Sequence, residues 1–297
     1  MELEILSSTQ INREKWDACI SMSTNTLVYA TSAYLDTMAD NWDGFIADDY
    51  RLVMPVPWRK KFGVKYYYDV PFVQQLGVFG GSPGAEEIDL FKTQLQRSYR
   101  YGDYSFNYGN AIDAKRCNNY ILPLSSRYEV SKQFYSSNLS GSLSRINEDK
   151  LQYLPADSQE AIAIFRQLYG KRFAHVTEND YNNFASLCKL KEQENKLIVR
   201  KVCAGSEVLS IALFIKDERR IYNLMPSTTE NGRQQLAGHF LFDSVIREFS
   251  HTGMMLDFEG SDIPGIENFY AGFGAVNQPY FKLHFNRLPI LLRVFKR

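Results

Sequence analysis

Cysteine and histidine are scarce in this chain, with four of each in 297 residues, and neither type is clustered. Cys19, Cys117, Cys188 and Cys203 show no metal-ligand spacing and suit reduced thiols. His175, His239, His251 and His284 are as dispersed, so no metal motif is present. Net charge is lacking too: 34 Lys and Arg balance 34 Asp and Glu. The whole chain therefore has no field for gathering nucleic acid or anionic membrane, and any basic site must be local. No window approaches the ~20 apolar residues of a membrane span. The stretch Met1–Gln10 lacks the basic and apolar regions of a secretory signal, so a cytoplasmic location is the expectation. No G-x-S-x-G elbow occurs, and no Cys–His spacing suggests a thiol nucleophile. Covalent catalysis has no support in the sequence.

Aromatic residues are abundant instead, with 19 Tyr and 20 Phe. Such side chains fill cores, and an excess also suits a groove for an extended ligand. The 44% of apolar residues are enough for one large or two ordinary cores.

Periodicity gives the organisation. Helices are expected around Trp16–Ile20 and Tyr34–Met38. Arg51–Trp58 reads as a strand whose prolines suggest an edge or a bulge, with Val64–Tyr68 as its hairpin partner. Pro71–Phe79 is a third extended piece. Ile88, Phe91, Leu95 and Tyr99 form a helical stripe within Glu86–Tyr101, with acids first and Arg97 and Arg100 last, as the macrodipole favours. Strands follow at Tyr104–Tyr108 and Asn119–Leu124. The second half repeats this order. Helices at Ala156–Phe173 and Asn179–Gln193 precede a hairpin of Lys196–Val202 and Val208–Ile215, the strand Arg220–Met225 and a helix over Arg233–Phe249. Two similar α/β (α+β) units are expected, residues 1–130 and 131–297, each with a mixed, mostly antiparallel sheet flanked by helices. The Ser-rich stretch 125–155 is the join.

The most informative segment is Met254–Ala275, MMLDFEGSDIPGIENFYAGFGA. The strand-like Met254–Phe258 runs into Glu259-Gly260-Ser261, then a short Gly- and aromatic-rich helix, then the strand Tyr280–Asn286. Period-2 geometry puts Asp257 and Glu259 on one face, so two carboxylates sit where a strand opens into a helix. In open α/β sheets that end of a strand is where ligands bind.

This order of elements, with VPWRKK-x-G, PFVQQLGVF and LDFEGSDIPGIENFYAGFGA, resembles the FemAB-like branch of the GNAT acyltransferase superfamily. The resemblance covers most of the chain and is strongest over 50–80 and 254–286. It implies two GNAT-like domains in tandem and transfer of an acyl or aminoacyl group to an amine. Characterised members of the branch use aminoacyl-tRNA and a peptidoglycan precursor. The close relatives of this type look like uncharacterised acetyltransferase-like proteins, so the substrate does not carry over. One departure is the Phe134–Leu143 stretch, where serines and a glycine replace the basic residues such proteins often carry; this weakens both helix and phosphate binding.

The resemblance also implies a donor turn of the form R/Q-x-x-G-x-G/A at a helix start, where backbone N–H groups hold a pyrophosphate. Arg233-Gln234-Gln235-Leu236-Ala237-Gly238 is the nearest match. Its last glycine is in place, but Leu236 takes the first glycine position and obstructs close approach of a phosphate. Arg233, Gln234 and Gly238 are the candidate donor-binding residues, for an acyl-CoA used as substrate rather than a permanently bound cofactor.

Glu259 and Asp257 are the catalytic candidates, because transfer to an amine needs a base or an anchor for it. Their plainer role is to cap the following turn or pair with Arg or Lys. Ser261, with Asp262, has the alternative of capping the helix that Pro264 enters, and Tyr270 that of core packing. Arg59 and Lys61, in the densest cation cluster outside the tail, suit phosphate, or are a solvated hairpin turn. Of Gln74 and Gln75 one points inward, and a buried amide needs partners; both are candidates for lining a groove. The tail Arg287–Arg297 has four cations and no acid, which suits peripheral contact with anionic lipid, although packing of a last strand with a basic end is the plainer account.

The expected activity is N-acyl transfer in a groove between the halves, from an acyl-CoA or an aminoacyl-tRNA, to a small-molecule or cell-envelope precursor amine. A neutral chain argues mildly against a large tRNA footprint. The alternative is a binding or scaffold protein that keeps the fold without the chemistry, supported by the degenerate turn at 233–238 and the Ser-rich 134–144 segment.

Overall fold

A computed structural model describes residues 3–61, 63–260 and 262–289. In chain order the elements are β1 (Leu3–Ser7), α1 (Arg13–Met22), α2 (Ser32–Met38), β2 (Trp42–Ala47), β3 (Leu52–Lys61), β4 (Val64–Tyr67), α3 (Ala85–Ser98), β5 (Tyr101–Phe106), β6 (Lys115–Cys117), β7 (Tyr120–Pro123), α4 (Tyr128–Ser131), α5 (Ser137–Leu143), β8 (Gln152–Pro155), α6 (Ser158–Tyr169), α7 (Glu178–Gln193), β9 (Leu197–Ala204), β10 (Glu207–Lys216), β11 (Arg220–Thr228), α8 (Glu230–Gln234), α9 (Ala237–Phe249), β12 (Met255–Asp257), α10 (Pro264–Gly272), β13 (Val276–Asn277) and β14 (Tyr280–Asn286). The fold class is α+β. Two compact units emerge, Met1–Cys117 with Pro279–Arg297, and Asn118–Gln278.

This division differs from the consecutive pieces 1–130 and 131–297 expected from the sequence. Two strands cause the difference. β7 belongs to the second unit because it pairs antiparallel with β12. β14 belongs to the first because it lies between β5 and β6. No local pattern marks either choice, since both depend on partners more than a hundred residues away.

The first unit has an antiparallel sheet of order β1-β2-β3-β4 and the three-stranded sheet β5-β14-β6. Trp16 and Trp42, with ring centroids 5.0 Å apart, are buried in its core beside Phe45, Phe91 and Tyr99. α3 forms where the apolar stripe demanded, burying Ile88, Phe91 and Leu95, with Glu87 accepting the Gly84 N–H at its start. β3 is not an edge strand despite Pro55 and Pro57. They are tolerated because β4 pairs only with Trp58–Lys61, beyond the prolines.

The stretch 71–79, expected to be extended, is irregular and makes only the bridges Val53↔Phe79 and Leu76↔Phe106. Buried amides satisfy its backbone instead. Asn110 Oδ1 accepts the Val78 N–H (2.7 Å), and Asn110 Nδ2 (3.0 Å) and Asn25 Nδ2 (2.9 Å) both donate to the Val78 carbonyl. Gly77, at φ +114°, is the residue this cradle requires: a Cβ there would stand 2.2 Å from Asn110 Oδ1.

The second unit is built on a seven-stranded sheet of order β13-β7-β12-β11-β10-β9-β8, in which only β11 and β12 are parallel. β10 is buried almost throughout. Ala212 and Phe214 turn to the core that α9 fills with Leu241, Phe242 and Val245. Their neighbours Ile211, Leu213 and Ile215 alternate to the opposite face. The helix expected over 233–249 is two helices, broken at Leu236, which takes a left-handed φ of 57°. The serine-rich stretch does form a helix, α5, because Ser136 caps it by accepting the Leu139 N–H (3.2 Å).

Candidate active site

Strands β11 and β12 pair for only three positions, Arg220↔Met255, Ile221↔Leu256 and Tyr222↔Asp257. β11 then continues to Thr228, while the chain after Asp257 turns away. A bulge marks the same point. On the β10 side the register runs from Leu213↔Met225 to Phe214↔Asn223, so Leu224 is the extra residue. The two parallel strands therefore splay apart toward their carboxyl ends, and this wedge leaves backbone of β11 beyond Tyr222 without a partner in β12. Ligands bind at such ends in open sheets.

Asn223 stands at the base of the wedge. It is buried, its Nδ2 lies 3.5 Å from the Phe258 carbonyl, and its side chain also bonds the Tyr270 hydroxyl. Phe258 is held by β7 through its N–H to the Tyr120 carbonyl (2.9 Å), and its ring stacks on Tyr270 at 4.7 Å. Glu259 follows at φ 65°, in the left-handed region, and its N–H donates to Asp257 Oδ1 (3.1 Å). Glu259 is half-buried, and desolvation raises its carboxyl to about 8. Burial, and then the charge of Glu259 and the proximity of Tyr169, push the Tyr270 phenol well up. Tyr169, at the end of α6, brings its hydroxyl to 3.5 Å from the Thr228 N–H.

Asp257 is in a different state. Both it and Arg220 are buried, and Arg220 Nη1 donates to Asp257 Oδ2 at 2.8 Å. The expectation that Asp257 and Glu259 share a strand face is corrected: β12 ends at Asp257, and the left-handed Glu259 leaves the strand geometry that would have aligned them. Asp257 takes the plainer role, pairing with Arg and capping the turn.

At the donor turn, Thr229 Oγ1 accepts the Gly232 N–H (2.9 Å), and Arg233 Nη1 donates to the Thr228 carbonyl (2.8 Å). Arg233 thus secures the end of β11, and Gln234 is exposed. Leu236 has a left-handed backbone, the conformation that a glycine adopts without strain. Gly238 is buried in the first turn of α9 against Thr228. His239 follows, its ring 4.9 Å from that of Phe269; burial, and then Arg145, lower its pKa.

Arg59, Lys61, Gln74 and Gln75 lie in the first unit. Arg59 pairs with Asp40 (2.6 Å) and covers the Tyr68 ring at 4.0 Å, and Lys61 is exposed at the end of β3. Gln75 is fully buried, bonded to Gln74 and to the Tyr108 N–H (3.1 Å), which fixes the loop. Ser261 and tail residues 290–297 lie outside the described residues. The four cysteines are free and buried, and desolvation holds Cys19 at about 11 and Cys188 at about 12, away from thiolate chemistry. Asn223, Tyr169 and Arg220 escaped the sequence reading. The available signals were Arg220 and the amide of Asn223 in the strand 220–225, whose other residues are Ile, Tyr, Leu and Met.

No family model matches the sequence, and no curated protein matches it either. Solved structures do. A FemX crystal structure superposes with a TM-score of 0.68 at 12% identity, covering all of both chains. A tandem GNAT protein from the clavulanic acid biosynthesis pathway gives 0.54 at 7% identity, covering 97% of this chain and 99% of that one. A conserved protein of unknown function from Bacteroides thetaiotaomicron VPI-5482 gives 0.54 at 8% identity, covering 93% and 98%. The fold is therefore the one shared by FemX and tandem GNAT proteins, as the sequence resemblance implied. Among the described residues no helix is long and apolar enough to cross a membrane.

Proposed function

We propose that the protein is an N-acyltransferase whose reaction takes place in the wedge between β11 and β12. The acceptor amine attacks the carbonyl carbon of an activated ester or thioester. A C–N bond forms, the C–O or C–S bond breaks, the amine proton passes to the Glu259 carboxylate, and the leaving alkoxide or thiolate takes up a proton and departs as the alcohol or thiol. The observation that carries this reading is the half-buried Glu259 carboxyl, desolvated enough to titrate high, at the exit of a splayed parallel strand pair. A base raised to about 8 is better matched to an ammonium proton than an ordinary carboxylate, and it is half ionised near pH 8. Backbone N–H groups of β11 beyond its three-position pairing with β12 are the donors assigned to the developing oxyanion. The donor is an acyl-CoA or an aminoacyl-tRNA, and the acceptor is an amine of a small molecule or a cell-envelope precursor.

The test is transfer to an amine panel from CoA thioesters and from charged tRNA, followed by thiol release or by mass of the product. Transfer that Glu259→Gln abolishes supports the proposal. A second reading, a binding or scaffold protein, is favoured by the Leu236 side chain at the first glycine position. No transfer from any donor, together with no thermal shift with CoA esters, would replace the enzyme reading with that one.

A further inference from the structure

We propose that the buried Arg220–Asp257 pair is a positioning device for Glu259: Asp257 holds the Glu259 N–H, and Arg220 orients Asp257 to do so. The inference rests on the reading of Glu259 as the base. Its geometry is a short chain of contacts. Arg220 Nη1 reaches Asp257 Oδ2 at 2.8 Å, and Asp257 Oδ1 accepts the Glu259 N–H at 3.1 Å. Both side chains of the pair are at most 6% exposed. The second guanidinium arm, Nη2, donates to Gln278 Oε1 (2.8 Å), and Gln278 is anchored through its N–H to the Asn119 carbonyl (2.7 Å). Arg220 is thus held by Gln278 as well as by Asp257.

Stability alone does not account for such a pair. A buried ion pair roughly breaks even against apolar residues of similar size, because desolvation offsets attraction. An apolar pair, however, supplies no acceptor. Glu259 lies past the end of β12, and its N–H donates to the Asp257 side chain. Its left-handed backbone is also disfavoured for a residue with a Cβ. With the acceptor gone, residue 259 relaxes to negative φ, and its side chain leaves its place beside Tyr270. Among the groups near Glu259 are Tyr270 of α10, whose phenol is pushed up by burial and then by the Glu259 charge, with Tyr169 of α6 acting on the same phenol, and Asp257 of β12, which is paired with Arg220.

The experiment follows the Glu259 carboxyl directly, by NMR titration of the full chain carrying 13C-labelled glutamate, assigned with Glu259→Gln. Two double variants remove both charges. Arg220→Met with Asp257→Asn keeps an acceptor oxygen, and Arg220→Met with Asp257→Leu does not. The wild type is expected to titrate near 8. The Asn double should stay within about one pH unit of that, and the Leu double should fall by about two or more, toward an exposed carboxyl. A Leu double that titrates like the wild type, or two doubles that move equally, would overturn the proposal. Hydrogen exchange in the wild type gives a second readout that survives misfolding of any variant: a slowly exchanging Glu259 amide supports the bond to Asp257, and a freely exchanging one overturns it. Neither measurement needs turnover, so an inactive protein with the expected titration would refute the transferase reading while leaving the positioning intact.

Discussion

Around residues 70–80 the first unit buries amides, whereas around residue 259 the second unit buries carboxyls, and the two interiors treat their polar groups differently. Asn25, Asn110 and Gln75 are neutral and carry both donors and acceptors, so each can be matched to the backbone of an irregular loop. A carboxylate is an acceptor only and brings a charge. Asp257 meets that demand with Arg220. Glu259 meets it by holding its proton to higher pH. Amides in this protein fix a shape, and one carboxyl is left with a titration close to physiological pH. That asymmetry is the reason for placing the chemistry in the second unit.

The strongest way to break the comparison is Glu259→Gln. Acyl transfer should fall by roughly 10²–10⁴-fold, the range for a lost general base, with little change in melting temperature at neutral pH. The wild-type rate should rise with pH through about 8, and the variant should lose that limb. Stability carries the matching sign. A carboxyl that titrates near 8 when folded and near 4.5 when unfolded contributes most below the unfolded value, and this contribution is lost as pH rises through 8. Melting temperatures of wild type and Glu259→Gln, compared from pH 5 to 9, should show the wild type declining relative to the variant. Parallel curves would contradict the raised titration.

On the amide side, Gly77→Ala should destabilise the first unit by about 3 kcal/mol or more, because a new methyl meets Asn110 Oδ1 at 2.2 Å and the φ of +114° disfavours any Cβ. Urea unfolding measures it. Asn110→Ala should cost about 1–3 kcal/mol by orphaning the Val78 N–H, with no change in the pH dependence of activity. The smallest effect sharpens the donor assignment. Leu236→Gly removes a left-handed leucine, worth about 1 kcal/mol of backbone strain. It should also tighten binding of a CoA ester severalfold by calorimetry. An unchanged affinity would turn the donor assignment toward aminoacyl-tRNA.

Much of the fold was legible because it rests on local chemistry. The stripe of Ile88, Phe91 and Leu95, the hairpin around Gly205, and Pro264 opening α10 each announce themselves within a few residues. The segment holding Glu259 was legible as well, as an acidic strand exit. What stayed hidden depends on distant partners. The wedge exists because β11 outruns a three-residue β12, and a sequence does not show where a parallel ladder stops. Leu236 misled in another way, since leucine gives no local sign of a left-handed turn and the helix looked continuous across it. Asp257 and Glu259 looked equivalent by alternation, and one backbone torsion separates their roles.

Because β14 inserts between β5 and β6, the sheet containing residue 101 is incomplete until residue 286 has been synthesised. During translation β5 and β6 must wait, with open edges, while the whole of Asn118–Gln278 emerges and folds. The later-made unit is therefore able to finish before the earlier one, and a chain cut after Gln278 would leave the first unit, not the second, unable to close.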